Sequence, residues 1–408
     1  MPPTIDIEDL GFDAGAHLLV KHGLQQLAPG EELDVTGSGA GWDGQLAAWC
    51  RSQGHPCAAL DVDSRVDGRK VVRKVVRVTR GGASAGRWRA ALHSGHADPR
   101  LDGAVAMQAK AQWGLAARGA TVEAGSPAMQ FRLDQKEEVW AERAADLYAQ
   151  AAAAQWDPET AIDWKADFTL PDMVEDAVVQ VLTYMIENEV AALVVPARFL
   201  GQVHPHFREV QAVLAIQVAD EARHIEVFTR RVRLKGREPG LSTAGGQSSL
   251  KTLLDEQDFS VAEFLLSVLG EGTFVSLLHF LHAYAPDPVT RQIARLAARD
   301  EARHVAFGMT HLAARLEREP AFRTRLANAV QSRNDALAAS SGLNEEVFDS
   351  LILLAAGALT PGAIAAGYLR VQQLMVDMAE GRQSRLERLG FSKAEAQQLS
   401  ALHTRNFM

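Results

Sequence analysis

The sequence is poor in the residues that build several common redox and metal sites. Only two cysteines, Cys50 and Cys57, occur among 408 residues, too few for a disulfide framework, a four-thiolate zinc site or an iron–sulfur cluster. A glycine-rich dinucleotide fingerprint in a strand–turn–helix context is also missing, so the chain carries no flavin or nicotinamide signature. Electrons for any redox chemistry would therefore come from an external donor. The low cysteine content makes the cytoplasm the expected location.

Charge and hydropathy exclude further classes. The formal net charge is −9, and aromatic residues form no stacking motif, so we expect no nucleic-acid partner. The N-terminus, MPPTIDIEDLGFDAG, lacks the basic and apolar parts of a secretory signal. The most membrane-like run, residues 351–369, is broken at Thr360-Pro361-Gly362, where Thr-Pro predicts an N-cap and the first residue of a new helix. We expect two buried helices there and no membrane span.

The length and the changes in composition predict several segments. Residues 1–80 alternate β-branched stretches with helical spacing and predict a small α/β domain. Residues 81–160 predict a linker and a lead helix. Residues 161–318 predict a four-helix bundle, and residues 319–408 predict C-terminal helices packed on it. The individual helices are predicted at 134–153, 172–199, 205–235, 250–284, 287–317, 321–338, 345–379 and 392–402.

The pentapeptide DEARH occurs at residues 220–224 and again at 300–304. Positions i and i+3 lie on one face of a helix, so Glu221 with His224, and Glu301 with His304, each place a carboxylate beside an imidazole. Each pair is half of a transition-metal site. The first pair interrupts a largely apolar stripe, where an unpaired carboxylate would be very costly to bury. A bound metal would remove that cost.

The helix that precedes each DEARH copy also carries an acid. Glu271 is the only charged residue between Phe264 and Phe280. In the earlier helix both Glu187 and Glu189 are candidates, but Glu187 falls on a polar stripe and Glu189 on an apolar one, so periodicity favours Glu189. If each helix pair folds as an antiparallel hairpin, about GQVHPH and APDP, the acids meet their ExxH partners at one level of the bundle.

This order of Glu, ExxH, Glu and ExxH on successive helices resembles the ferritin-like di-iron carboxylate superfamily, over residues 172–317. The resemblance implies a mainly α fold, with a ferritin-like four-helix bundle and extra helices preceded by the small α/β domain. It also implies that the metal ligands are Glu189, Glu221, His224, Glu271, Glu301 and His304, with Glu187 as the alternative to Glu189.

The remaining letters of DEARH also have counterparts in that superfamily. In its oxygenase-like members a DExRH form is common, and by this resemblance Asp220 and Asp300 would each accept a hydrogen bond from a metal-bound imidazole and fix its orientation. Arg223 and Arg303 would then pair with these acids and balance their charge. The alternative for the two arginines is a solvated position on the outside of their helices.

The resemblance implies a function as well. We expect an O2-activating non-haem di-iron oxygenase or oxidase that acts on a small organic substrate, by hydroxylation, N-oxygenation, desaturation or C–C cleavage. Its cofactor would be two Fe ions, with Mn or a mixed Mn/Fe pair as the alternative, and O2 would be the co-substrate. The alternatives are a ferroxidase or a Mn/Fe peroxide-handling protein, and a metal-holding regulatory protein that docks to a sulfur-relay partner. A homodimer is compatible with the sequence.

Residues 5–80 resemble the small sulfur-carrier proteins of the TusA type, through QQLAPGEELDVTG followed by WDGQLAAWCRSQGH. That family carries a Cys-Pro-x-Pro motif at the start of its first helix. The corresponding stretch here, GFDAGAHLL, has neither Cys nor Pro. Because the thiolate is the nucleophile in sulfur transfer, we expect a docking, substrate-gating or structural role for this domain.

Overall fold

The structure is a computed structural model that describes residues 1–66, 69–82, 88, 90–338 and 345–402. The chain divides into two compact units, residues 1–94 with 119–127 and residues 95–118 with 128–408. The first is a small α/β unit and the second is a bundle of helices. The predicted fold class, mainly α with a ferritin-like bundle after a small α/β domain, is confirmed.

Among its described residues, the main elements of the α/β unit are β1 Thr4–Asp6, α1 Ala16–Gln25, β2 Glu32–Thr36, α2 Trp42–Gln53, β3 Cys57–Val66 and β4 Arg69–Thr79. The sheet order is β1-β2-β4-β3, with β1 and β2 parallel and β4 antiparallel to both of its neighbours. Its core includes Val20, Val35 and Leu46, all of them buried. The alternation of strand and helix is the predicted one, whereas the likeness to sulfur carriers stays a prediction.

This unit extends beyond residue 80, where the sequence predicted a linker. A short strand, β5 Leu92–His93, pairs antiparallel with β6 Thr121–Val122. The amide of Ser94 also donates to the carbonyl of Ala120 at 3.0 Å. These backbone hydrogen bonds explain why residues up to 94 and residues 119–127 belong to the first unit.

The second unit is built from helices of very different length. They are α3 Lys136–Val139, α4 Ala144–Ala153, α5 Pro158–Ala161, α6 Asp172–Leu200, α7 Arg208–Leu234, α8 Ala244–Asp255, α9 Phe259–Tyr284, α10 Pro288–Arg318, α11 Phe322–Ala338, α12 Glu345–Ala356, α13 Pro361–Arg388 and α14 Lys393–Leu402. Helices α6 and α7 form one hairpin, and α9 and α10 form the other. The two hairpins make the four-helix bundle predicted from the sequence.

Two of the predicted helices are broken, and a third is divided where Thr360-Pro361 predicted the start of a new helix. The helix predicted at 134–153 is split into α3 and α4, the helix predicted at 250–284 into α8 and α9, and the helix predicted at 345–379 into α12 and α13. The second break has a clear cause, because the Asp258 carboxylate caps α9 by accepting a hydrogen bond from Val261 N at 3.0 Å. At the third break, Gly357 has a φ of 68° and Thr360 caps α13, as Thr-Pro predicted.

Helices α6 and α9 are long and apolar enough to cross a membrane by length and composition alone. In the folded chain, 72% and 83% of their apolar windows are buried inside the protein. Helices α12 and α13 would form one further apolar span if they were collinear, but they meet at 117°. Most of the apolar surface of α6 and α9 is therefore packed inside the protein.

Helix α9 is π-helical over Phe264–Glu271. Such segments are rare and occur mostly as short insertions at functional sites. Two close contacts hold the π-helical segment of α9. A Cβ on Gly308 of α10 would lie only 2.9 Å from the Ser267 Cβ, so the two helices approach closely there. On the other side, Arg385 of α13 donates from Nε to the Val268 carbonyl at 2.6 Å.

A buried arginine joins three helices at one end of the bundle. Arg231 of α7 donates to both carboxylate oxygens of Glu175 on α6, at 2.6 and 3.0 Å. It also donates to Asp287, at 3.0 and 3.2 Å. Asp287 is in turn the N-cap of α10, since it accepts from Thr290 N at 2.8 Å. This network fixes the relative heights of α6, α7 and α10.

Arg231→Met is expected to lower the free energy of unfolding by about 3–5 kcal/mol, because Glu175 and Asp287 would remain buried without their partner. The matched control is Arg237→Met, whose ion pair with Asp172 at 2.9 Å lies at the surface. Its loss should change stability by about 1 kcal/mol or less. Urea unfolding followed by circular dichroism measures both, and equal losses in the two variants would contradict the assigned role of Arg231.

Candidate metal centre

The structure brings the six predicted ligands together in one buried cluster. None of them is more than 3% exposed. Helix α6 contributes Glu189, α7 contributes Glu221 and His224, α9 contributes Glu271, and α10 contributes Glu301 and His304. The alternative residue, Glu187, is partly exposed and lies outside the cluster.

The donor atoms fall into two overlapping groups. Glu189, Glu221, His224 and Glu301 form one group, and Glu221, Glu271, Glu301 and His304 form the other. Within each group the donor atoms all lie within 4.8 Å of one another. Glu221 and Glu301 belong to both groups, so each of them has an oxygen available to each of two metal positions. The cluster is therefore organised for two ions that share two carboxylates.

The imidazoles point their Nδ1 atoms at the glutamates. His224 Nδ1 lies 3.1 Å from Glu221, 3.4 Å from Glu301 and 3.6 Å from Glu189. His304 Nδ1 lies 3.0 Å from Glu221 and 3.3 Å from Glu301. Two ligand atoms at right angles, each about 2.1 Å from a transition-metal ion, are about 3 Å apart. The observed separations match those of donors around a common ion.

The two aspartates of the repeated DEARH bind the histidines in a crossed arrangement. Asp300 of α10 lies 3.2 Å from Nε2 of His224 on α7. Asp220 of α7 lies 3.3 Å from Nε2 of His304 on α10. Because a carboxylate only accepts hydrogen bonds, each contact places a proton on Nε2 and turns Nδ1 towards the glutamates. Each aspartate thus orients the imidazole of the other helix.

The two arginines lie against these aspartates and are largely buried. Arg223 Nη2 bonds Asp220 and lies 2.9 Å from Asp300. Arg303 Nη2 bonds Asp300 and lies 3.8 Å from Asp220. Their side chains are only 10% and 15% exposed, so the solvated alternative does not describe them. Together the four side chains form a compact network of alternating charge behind the histidines.

Three further residues contact this site that the sequence did not single out. Gln155 Nε2 donates to Asp220 at 2.8 Å, and Trp156 Nε1 donates to Asp300 at 2.8 Å. Both residues come from the loop after α4. Gln217, one turn before Glu221, donates to Glu271 Oε1 at 3.0 Å. Because Gln217 lies on the same helical stripe as Glu221, periodicity could have indicated its place near the site. Gln155 and Trp156 lie in a loop, where helical periodicity indicates nothing.

The charges of the cluster oppose one another. Burial, reinforced by Glu221 and Glu301, holds the pKa of Glu189 well above its usual range. Burial and Glu301 do the same for the pKa of Glu271. Burial would also raise the pKa of Glu221, but the two nearby histidines outweigh it and lower that pKa. The four glutamates of the site therefore carry more negative charge than its two histidines can balance.

The residues present fit a pair of metal ions. Glu189 Oε1 and Glu271 Oε2 are buried without a hydrogen-bond partner within the described part of the chain. Glu221 Oε1 and Glu301 Oε1 face the imidazoles, 3.0 Å from His304 Nδ1 and 3.4 Å from His224 Nδ1. Buried polar atoms in proteins normally have partners, so the two orphan oxygens require an explanation. Two cations between the glutamates would bind the free oxygens and balance their charge.

The other histidines near the bundle are outside the cluster. His311, on the same helix as His304, is packed and fully bonded: Nδ1 lies 3.0 Å from the Trp140 carbonyl and Nε2 lies 2.7 Å from Ser260 Oγ. His279 and His282 are exposed. None of the three contributes a donor atom to the two groups found among the described residues.

No protein-family model and no curated protein matches the chain. Among solved structures it is similar to R2-like ligand-binding oxidases. The protein from Sulfolobus acidocaldarius is 16% identical with a TM-score of 0.41, over 58% of this chain and 90% of that one. An oxidase with a reconstituted metal cofactor after photoconversion is 18% identical with a TM-score of 0.43, over 63% and 94%. Another, with an aerobically reconstituted Mn/Fe cofactor, is 16% identical with a TM-score of 0.41, over 63% and 93%.

At these identities and TM-scores the likeness assigns no activity to the chain. The class of site is defined by its own helices and donor atoms, which form a carboxylate-rich centre for two metal ions inside a four-helix bundle.

Glu189→Ala should lower the metal content by roughly one ion per chain or more, because it removes a donor that belongs to one of the two groups. Glu187→Ala is the matched control on the same helix and should keep the wild-type content. Elemental analysis of both variants after loading with ferrous iron without oxygen gives the result. Loss of metal in the Glu187 variant alone would contradict the choice of Glu189.

Metal binding should release protons and should weaken in acid. Burial works against a charged imidazole, but Glu189 and Asp300 outweigh it and raise the pKa of His224. Glu221 and Asp220 likewise raise the pKa of His304. An incoming ion must displace these protons, so the apparent affinity should rise as the pH increases from about 6 to 8.

Calorimetric titration with Co²⁺ at both pH values, in two buffers of different ionisation enthalpy, would count the protons released. An affinity that does not change with pH, without proton release, would argue against both histidines as ligands.

Proposed function

We propose that the chain is an O2-activating oxidoreductase with a non-haem dinuclear metal centre, acting on a small organic substrate. The observation that carries this proposal is the pair of glutamates, Glu221 and Glu301, that belong to both donor groups and so offer an oxygen to each of two metal positions. Shared carboxylates of this kind would hold two ions close together, which suits a reaction that needs two metal electrons at once.

The donor set favours a particular kind of metal. Four carboxylates and two imidazoles, with no thiolate, suit Fe or Mn better than soft ions. The cofactor proposed is two Fe ions, with a mixed Mn/Fe or a Mn pair as the alternative occupancy. When bound, such a pair supplies electrons to O2 and acts as a Lewis acid.

The chain's own residues set the conditions for that chemistry. Glu189 and Glu271 would hold one ion each, and the crossed aspartates keep Nδ1 of each histidine turned towards the glutamates. Apolar helices surround the cluster and exclude bulk water, which strengthens the electrostatic interactions inside. The proposed reactions are hydroxylation, N-oxygenation, desaturation or C–C cleavage.

The proposal includes an external electron donor or reductase, since the sequence has no flavin, nicotinamide or iron–sulfur motif. We further propose a cytoplasmic protein that acts on small molecules, without a nucleic-acid or membrane partner and compatible with a homodimer.

The test is to load the protein with ferrous iron without oxygen and to record metal content and Mössbauer spectra before and after a pulse of O2. We expect roughly two irons per chain, both oxidised together. Glu301→Ala, which removes a shared donor, should lose both irons, whereas Glu271→Ala should keep about one.

Other results would favour the alternatives. Ferric iron that accumulates far beyond two per chain would indicate a ferroxidase. A bound pair that does not react with O2 would indicate a peroxide-handling manganese site or a regulatory protein that only holds metal.

A further inference from the structure

A sizeable cavity of the helical unit lies away from the metal centre. It has a volume of about 550 Å³ and lies between α8, the first turns of α9, and α11. Its lining includes Thr252, Val261, Leu265, Arg325 and Arg333. None of the six candidate metal ligands lines it, so it is a separate site with its own chemistry.

Arg333 lines this cavity as a buried cation, and no counterion pairs with it among the described residues. It is only 6% exposed. Its Nη2 donates to Ser249 Oγ at 2.8 Å, whereas Nε and Nη1 have no hydrogen-bond partner among the described residues. These two nitrogens carry three of the five N–H groups of a guanidinium. Burial lowers the pKa of Arg333 to about 10, so the side chain is still charged at neutral pH.

The isolation of Arg333 contrasts with the other charges around it. Arg231, which is equally deep in the bundle, has Glu175 and Asp287 as partners. Arg325, also on α11, is largely exposed and pairs with Asp258 at 3.0 Å. A buried cation left unpaired is strongly destabilising. Its position in a cavity therefore calls for an anion from outside the chain.

The rest of the lining limits the kind of anion. Val261 and Leu265 are buried and apolar. The two acids of the lining are already engaged: Asp255 pairs with Lys251, and Glu256 accepts from the Asp258 amide at 2.8 Å. The deep wall thus offers a single positive charge beside apolar surface, which suits a singly charged ligand with an apolar part better than inorganic phosphate.

We propose that this cavity is a binding site for a small organic carboxylate, whose oxygens pair with Arg333 and whose apolar part lies on Val261 and Leu265. A guanidinium binds a carboxylate through two parallel N–H···O bonds from one of its edges, so Nε or Nη1 of Arg333 would supply one bond and the second N–H of Nη2 the other. The proposal does not depend on the function of the metal centre, because the two sites share no residue.

The test compares wild-type protein, Arg333→Met and Arg382→Met by calorimetry and thermal unfolding. Arg382 is a matched control: it is also a buried arginine, but it contacts Thr273 and Ser400 and does not line the cavity. The probes are benzoate, butyrate, the neutral analogue benzamide, and inorganic phosphate.

We expect saturable binding of benzoate or butyrate to the wild type, at least about 10-fold weaker in Arg333→Met and within about 3-fold of the wild type in Arg382→Met. Benzamide should bind much more weakly than benzoate. Without ligand, Arg333→Met should unfold at the wild-type temperature or above it, because the variant removes an unpaired buried charge.

Several results would overturn the proposal. One is the absence of Arg333-dependent binding by either carboxylate, and another is phosphate binding at least as tight as benzoate. A large loss of stability in Arg333→Met without ligand would show that the guanidinium serves the fold. Each of these results is independent of how the protein behaves with iron and oxygen.

Discussion

The burial of opposed charges in an apolar bundle is the constraint on which the rest of the second unit depends. Glu189, Glu221, Glu271 and Glu301 meet the imidazoles where water is excluded. A carboxylate there is tolerated only with a partner, and the histidines and aspartates supply part of the required charge. The buried oxygens without hydrogen-bond partners indicate that positive charge is still missing from the site, and two cations would supply it.

Such a site works only if four helices hold a fixed register. A shift of one residue would turn a glutamate by 100° about its helix and away from the cluster. The network of Arg231 fixes one end of the bundle. Near the site, the close approach at Gly308 and the bond from Arg385 to Val268 hold the π-helical part of α9, which ends at Glu271. The register therefore depends on a few polar contacts as well as on apolar packing.

The sequence predicted the residues that share a helix face and missed those that depend on the fold. Periodicity favoured Glu189 over Glu187, and that is the residue found in the cluster, because a helix face is a local property of the chain. Gln155 and Trp156 come from a loop far from DEARH in sequence, so no local pattern could place them beside the aspartates. The crossed contacts between Asp300 and His224, and between Asp220 and His304, were likewise beyond a local pattern.

The breaks in the predicted helices could be predicted only in part from the sequence. Within 250–284 a capping aspartate starts a new helix that composition did not predict, whereas within 345–379 Thr360-Pro361 did predict the start of the second helix. The π-helical turns of α9 leave no trace in composition, because the residues are ordinary helix-compatible apolar ones; α10 and α13 contact this segment. Arg333 similarly looks like any surface arginine until α11 is placed against α8.

The crossed contacts of the aspartates make the two hairpins depend on each other. Each hairpin holds one glutamate and one copy of DEARH, but the acid that orients its histidine belongs to the other hairpin. A lone hairpin would leave its imidazole free to turn, so neither hairpin presents half of a finished site by itself. Metal binding at this centre would therefore be coupled to assembly of the whole bundle.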